Sequence, residues 1–312
     1  MVVIAALIIK SPVKKPKEYT IGVINHIPIA EYALDGLTEG LLSRGYVKGE
    51  NLKIIYSGAK TDPGQLKKEA ERLVSLKPDL IYCMTTRATL AAKAAAVNSG
   101  IPIVFGPVSD PIGTGIVENM TDPKRNITGV AFGTQEPRRL ELLEHIKPGI
   151  IKVLIPFSPG DKSSANGVAH LKAEMDGMDI QPVFLPVPGE IPAVEVLYGY
   201  KGDFDAIFIP TDTAVVTQTE KIAQFAVFRK VPLSCPQKEG VMQGALMSYG
   251  FGIKDTGRQA ARIVHMIFSG TKPGDIPIEI TDFGLSINLD TAEKIGLQVP
   301  EFFLKNSFIV RQ

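Results

Sequence analysis

The chain has no tryptophan, two cysteines and four histidines in 312 residues. Cys83 and Cys235 stand far apart and outside any CxxC or Cys/His spacing, which argues against a disulfide framework and a cysteine-built zinc site. Both are expected as buried thiols. An excess of one charge is also missing: Lys+Arg 34 against Asp+Glu 33 leaves +1, no global field for a polyanion, so no nucleic-acid partner is expected. No apolar run reaches the roughly 20 residues of a membrane-spanning helix. Met1 to Ile9 is apolar but short, lacks a basic leader, a small-residue cleavage site and a cysteine, and is followed by Lys10, Lys14, Lys15 and Lys17. Residues 1–18 are therefore expected outside the fold, as the remnant of a signal or anchor; the plainer alternative is an arm of a cytoplasmic protein. Enzyme signatures are lacking too: no GxSxG elbow, Walker A loop, HExxH pair or GxGxxG turn occurs. His145, His170 and His265 fall in helical stretches, and only His26 follows a strand. No catalytic residue, metal or cofactor is expected.

What is present is alternation. Short apolar runs at 19–24, 52–56, 79–84, 101–105, 152–157, 182–187, 205–210, 231–236, 244–249 and 284–289 read as strands. Between them lie helix-period stretches. Leu34, Leu37 and Leu41 share one face before Gly45, and Leu66, Ala70, Leu73 and Val74 follow Pro63 at i, i+4, i+7 and i+8. Further helices are expected over 88–97, 140–146, 168–175, 213–228 and 256–268. Such βαβ alternation predicts an α/β fold with parallel sheets. The length suits two lobes of about 100–150 residues, and with no low-complexity linker they are expected to share crossovers. The expected division is 19–131 plus about 244–278 for lobe 1, and 132–243 plus about 279–312 for lobe 2.

Open α/β sheets bind ligands at the carboxyl ends of their strands, and small polar residues gather there. They are Asn25 and His26 after the first run, Thr85 and Thr86 after the third, Ser109 and Asp110 after the fourth, and Thr211, Asp212 and Thr213 in the second half. A helix N-terminus offers unpaired N–H groups, so Thr85/Thr86 and Thr211/Thr213 suit a carboxylate. Asp110 and Asp212 suit an ammonium, and together these make a site for a zwitterion such as an amino acid. Each residue taken singly is equally an ordinary helix cap. Phe132, Phe157, Tyr249 and Phe251 at strand ends offer rings for stacking or for the core.

Seven strings carry a resemblance: HIPIAEYALDGLTEGL (26–41), KPDLIYCMTTRATLAAK (77–93), IPIVFGPVSDPIGTGIV (101–117), NITGV (126–130), FIPTDTAVV (208–216), GALMSYG (244–250) and SGTKPGDIPIE (269–279). From about Tyr19 to Leu297 the chain resembles the ABC-transporter substrate-binding proteins of the tryptophan/tyrosine-binding type. It departs from their usual pattern at Ile27, before the first proline, and at Thr213, in PTDT. The resemblance implies a type I periplasmic-binding architecture, with two Rossmann-like lobes joined by three hinge crossovers. It also implies an extracytoplasmic protein, periplasmic or held at the cell surface through its N-terminus, that delivers a small amino-acid-like ligand to a membrane permease driven by an ATPase subunit. The ligand class it points to is aromatic. Carried across by residue, the pocket comprises Asn25, His26, Pro28, Thr85, Thr86, Ser109, Asp110, Ser158, Ser163, Thr211, Asp212 and Thr213. Two alternatives stand beside it: a sensor or effector-binding ectodomain, and a two-lobed α/β enzyme drawing its acid and base from Asp110, Asp212 and His26.

Overall fold

The computed structural model describes residues 17–311 except 134, 161, 176, 177 and 190, and leaves aside the side chains of residues 162, 163, 166, 170 and 174. The expected N-terminal arm thus lies, but for Lys17 and Glu18, outside the described residues. The first stretch runs β1 (Tyr19–Asn25), α1 (Glu31–Leu42), β2 (Leu52–Ile55), α2 (Pro63–Ser75), β3 (Leu80–Met84), α3 (Thr86–Ala95), β4 (Ile103–Val108) and β5 (Ile127–Ala131). A second stretch follows with α4 (Glu136–Ile146), β6 (Lys152–Phe157), α5 (Lys162–Glu174), β7 (Gln181–Pro186), α6 (Ala193–Gly199) and β8 (Ala206–Phe208). It continues through α7 (Thr213–Val216), α8 (Thr219–Phe228), β9 (Leu233–Ser234), α9 (Lys238–Met242) and β10 (Met247–Gly250). The tail adds α10 (Ile253–Phe268), β11 (Glu279–Ile280), β12 (Gly284–Asn288), α11 (Leu289–Lys294), α12 (Glu301–Lys305) and β13 (Phe308–Val310).

These strands make two sheets, ordered β11-β5-β4-β3-β1-β2 and β13-β12-β10-β9-β8-β6-β7. All pairings are parallel except β10 with β12. Parallel strands covered on both faces read as continuous apolar runs, and LIYCM of β3 is buried at every position. The chain passes between the sheets after Ala131, after Gly250 and after Ile280.

Two expected boundaries shift. Met247–Gly250, assigned from sequence to lobe 1, pairs with β9 and β12 in the second sheet, whereas Glu279–Ile280 pairs with β5 in the first. An apolar run specifies a strand but not its sheet. The single helix expected over 213–228 is two, because the Thr217 hydroxyl and the Gln218 amide both donate to Ala214 O and draw the backbone out of the helical ladder.

In the first lobe α10 lies against α1 through small residues. A β-carbon at Gly36 would strike Lys254 O, and one at Gly257 would strike Ala33 O, so glycine alone allows this approach. One apolar cluster is continuous from Ile21 and Leu37 through Phe132 and Phe251 to Leu154 and Ile207, so the core runs through the crossovers into both lobes.

Candidate functional site

A cavity of about 390 Å³ lies between the carboxyl ends of the two sheets. The first lobe contributes Ile27, Ile29, Thr85, Thr86, Arg87, Leu90, Pro107 and Ser109; the second contributes Thr211, Asp212, Thr213, Val216, Pro236 and Gln237. Phe132 and Phe251 come from two of the crossovers and stack with centroids 4.0 Å apart at 24°, an aromatic floor beneath both walls.

On the first wall, Thr85 caps α3 with φ +90° and ψ 157°. Its hydroxyl accepts from Ala88 N at 3.5 Å, and its carbonyl accepts from Thr89 N and Thr89 Oγ1. The next N–H groups belong to the first turn of a ten-residue helix, where no intrahelical acceptor exists for them. Arg87, in that turn, places Nη1 3.4 Å from His26 Nε2. His26 Nδ1 lies 3.0 Å from Lys60 O, and because a carbonyl only accepts, the proton sits on Nδ1 and Nε2 faces the guanidinium.

On the second wall, Asp212 is 1% exposed. Its carboxylate accepts from Ser158 N at 2.6 Å, Ser158 Oγ at 3.2 Å, Ser164 Oγ at 2.5 Å, Ala214 N at 2.9 Å and Val215 N at 3.1 Å. Those donors occupy the roughly four lone-pair positions of a carboxylate. Asp212 therefore ties the loop after β6 to the loop after β8, with no acceptor left for an ammonium. Beneath it, Glu136 Oε1 accepts from Thr211 N at 2.6 Å and lies 3.9 Å from Arg139 Nη2. Arg139 donates to Ile209 O at 2.7 Å and lies over the Phe208 ring at 3.8 Å, and burial pulls its pKa down to about 10. A buried ion pair thus fixes the backbone of Thr211.

Of the residues proposed from sequence, Thr85, Thr86, Ser109, Thr211, Asp212 and Thr213 line this cavity. The others do not. Asn25 folds back, donating to Ile27 O at 2.7 Å and accepting from Ile27 N at 3.1 Å, which shapes the first turn. His26 is held behind that turn, and Pro28 is exposed. Asp110 is exposed outside the cavity and turns its own loop, accepting from Gly113 N at 2.8 Å. Ser158 is turned toward Asp212. Ser163 falls in the first turn of α5, and its side chain is outside the described residues. Phe157 and Tyr249 pack on Phe184 and Phe283, away from the cavity.

Sequence reasoning missed Ile29, Arg87, Leu90, Pro107 and Gln237. A signal existed for Gln237, which directly follows the strand expected over 231–236. Among the described residues no cluster of three His, Cys, Asp or Glu side chains could hold a metal ion, and no helix is long and apolar enough to cross a membrane.

The family model described as ABC transporter substrate binding protein matches residues 20–311. The tyrosine-binding protein of Clostridioides difficile (strain R20291) is 26% identical over 292 residues, covering 93% of this chain and 84% of that protein. A crystal structure of a conserved domain protein from Vibrio cholerae superposes with a TM-score of 0.85 at 26% identity, over 96% of this chain and all (100%) of that one. The ABC domain from Streptococcus pneumonia in complex with L-Trp gives 0.84 at 23% identity, over 94% and 100% of the two chains. With two lobes, three crossovers and a cavity between the sheets, the chain belongs to the ABC transporter substrate-binding protein family.

Proposed function

We propose that the cavity takes an aromatic α-amino acid, that the lobes close over it, and that the closed form is presented to a membrane permease powered by a separate ATPase. The family is extracytoplasmic, and membrane attachment through the N-terminal segment belongs to the same proposal. The observation that carries the ligand class is the pairing of a polar wall with an aromatic floor: Thr85, Thr86 and Arg87 at the start of α3 on one side, Phe132 stacked on Phe251 below. The ligand carboxylate is received by the Thr hydroxyls, the positive end of the α3 dipole and the Arg87 guanidinium. Asp212 keeps negative charge behind Thr211 to Thr213 without touching the ligand. The aryl group lies on the phenylalanines, where offset stacking contributes about 0.5–1.5 kcal/mol beyond burial. The volume suits a small organic ligand, pockets for such ligands spanning roughly 300–1,000 Å³. The ligands named for the relatives, tyrosine and L-Trp, are of this class.

Closure needs differential binding, because a ligand shifts a two-state equilibrium only by its preference for one state. Contacts from both lobes provide it. An enzyme on the same frame would need an acid and a base facing one another across the cleft; Asp110 lies outside the cavity, Asp212 is saturated and His26 is turned behind the first turn.

Calorimetric titration of the full chain with phenylalanine, tyrosine, tryptophan, leucine and ribose tests the reading. Saturable binding of at least one aromatic amino acid is expected, with the ligand recovered unchanged by mass spectrometry. At a free concentration one hundred times the Kd, the same ligand should stabilise the fold by about 2.7 kcal/mol. Binding of leucine or ribose alone would reject the aromatic assignment, and conversion of the ligand would reject the non-enzymatic one.

A further inference from the structure

We propose that Gln237 reads the polar atom on the ligand's ring, so that the site prefers tyrosine or tryptophan over phenylalanine; this rests on the aromatic amino-acid reading above. Gln237 is 3% exposed and lines the cavity. It stands at the N-cap of α9, yet its side chain does not cap that helix, and its amide makes no hydrogen bond with any other described side chain or backbone group. Buried side-chain amides in native proteins are nearly always hydrogen-bonded. One that is left open on the wall of a cavity has its partner in what enters the cavity.

Its position says which part of the ligand that is. The backbone is pinned: Gln237 O accepts from Gly240 N at 3.1 Å and from Cys235 Sγ at 3.4 Å, and Lys238 N donates to Phe251 O at 3.1 Å. Gln237 also forms a bridge with Phe251, whose ring stacks on Phe132. The amide therefore flanks the aromatic floor from the second lobe, whereas the carboxylate-binding turn of α3 belongs to the first. A ring lying on Phe251 turns its edge toward Gln237. The amide offers Nε2–H donors and an Oε1 acceptor, so it satisfies a phenol hydroxyl, which both donates and accepts, or an indole N–H, which only donates. A plain phenyl ring leaves it unpaired, and sites built to hydrogen-bond a substrate group reject the analogue lacking it far more strongly than sites that merely fit it.

The test is calorimetric titration of the wild-type full chain and the Gln237→Leu variant with phenylalanine, tyrosine and tryptophan. The wild type should bind tyrosine or tryptophan at least about tenfold more tightly than phenylalanine. Gln237→Leu should lose at least about tenfold for that ligand and change by less than about threefold for phenylalanine. Equal wild-type affinity for all three overturns the proposal without any variant, as it would if a water molecule satisfied the amide in every complex. A parallel loss for all three in the variant also overturns it. Should Gln237→Leu fail to fold by circular dichroism, Gln237→Met carries the same comparison. Wild-type protein that binds none of the three while binding another solute refutes the aromatic reading itself, a result distinct from binding all three alike.

Discussion

Thr85 shows how one residue joins strain to function. A β-branched side chain at φ +90° is costly, and such positions persist at ligand sites where the surroundings over-determine them. The compensating cap is weak at 3.5 Å. Thr85→Gly is therefore expected to raise the unfolding free energy by roughly 1 kcal/mol, measured as a shift of the denaturant midpoint. It should also weaken ligand binding by about tenfold through loss of the hydroxyl, each 1.4 kcal/mol being a factor of ten. A destabilised variant would show that the backbone is not strained. At this scale the sequence was half legible. Thr85, Thr86, Ser109 and Thr211 to Thr213 were found because each follows a buried strand whose end defines the cleft. Asn25, His26, Asp110 and Ser158 satisfy the same rule but turn away, since the choice between cavity and neighbouring loop depends on partners such as Lys60 O and Asp212 that no local pattern announces.

At the scale of elements, the joint between α9 and α10 carries a titratable device. Glu239 of α9 is 4% exposed, and its Oε1 accepts from Lys254 N at 3.1 Å, in the first turn of α10 across the second crossover. Its other oxygen is buried without a partner, and burial raises its pKa above the ordinary glutamate value. A raised carboxyl pKa means the folded state holds the proton over a window where the unfolded chain has released it. Stability from this group is thus full below about pH 4.3, the unfolded value, and declines as pH rises through the folded pKa. Glu239→Gln keeps the acceptor and removes the titration. The melting-temperature difference between variant and wild type should therefore open in favour of the variant as pH rises above the ordinary glutamate value, and a constant difference would contradict the raised pKa. Long elements such as α1, α2 and α10 were legible from their apolar period. The two- and three-residue strands β11 and β13 were not, because strands so short owe their existence to the neighbour they pair with.

The whole molecule is organised around its crossovers. Phe132 and Phe251 stack on each other, and Tyr249 stacks on Phe283 beside the third passage, with centroids 6.3 Å apart. Under the proposed closure, these stacked rings would serve as the bearing on which one sheet turns against the other. In small-angle scattering the ligand-saturated chain is expected to approach the roughly 20 Å radius of gyration of a compact protein of this length, and the ligand-free chain to be larger. Superimposable curves would argue against closure. The α/β class and the existence of two lobes were legible from alternation and length. The lobe boundaries near 244 and 279 were not, because an apolar run such as β10 does not announce its sheet and the two-residue β11 gives no strand signal of its own; tertiary pairing sends them to opposite sheets.

The glycine-lined contact between α1 and α10 also bears on how the protein is made. Gly36 and Gly40 present a face that α10 covers, and α10 and β11 are synthesised after β6 to β10 of the second lobe but before its β12 and β13. A chain emerging from the ribosome therefore cannot complete its amino-terminal lobe before most of the second has been made, unlike proteins whose domains follow one another along the chain. The lobe that begins earliest waits for α10 and β11, and until they arrive a nascent chain carries an open seam instead of a finished domain.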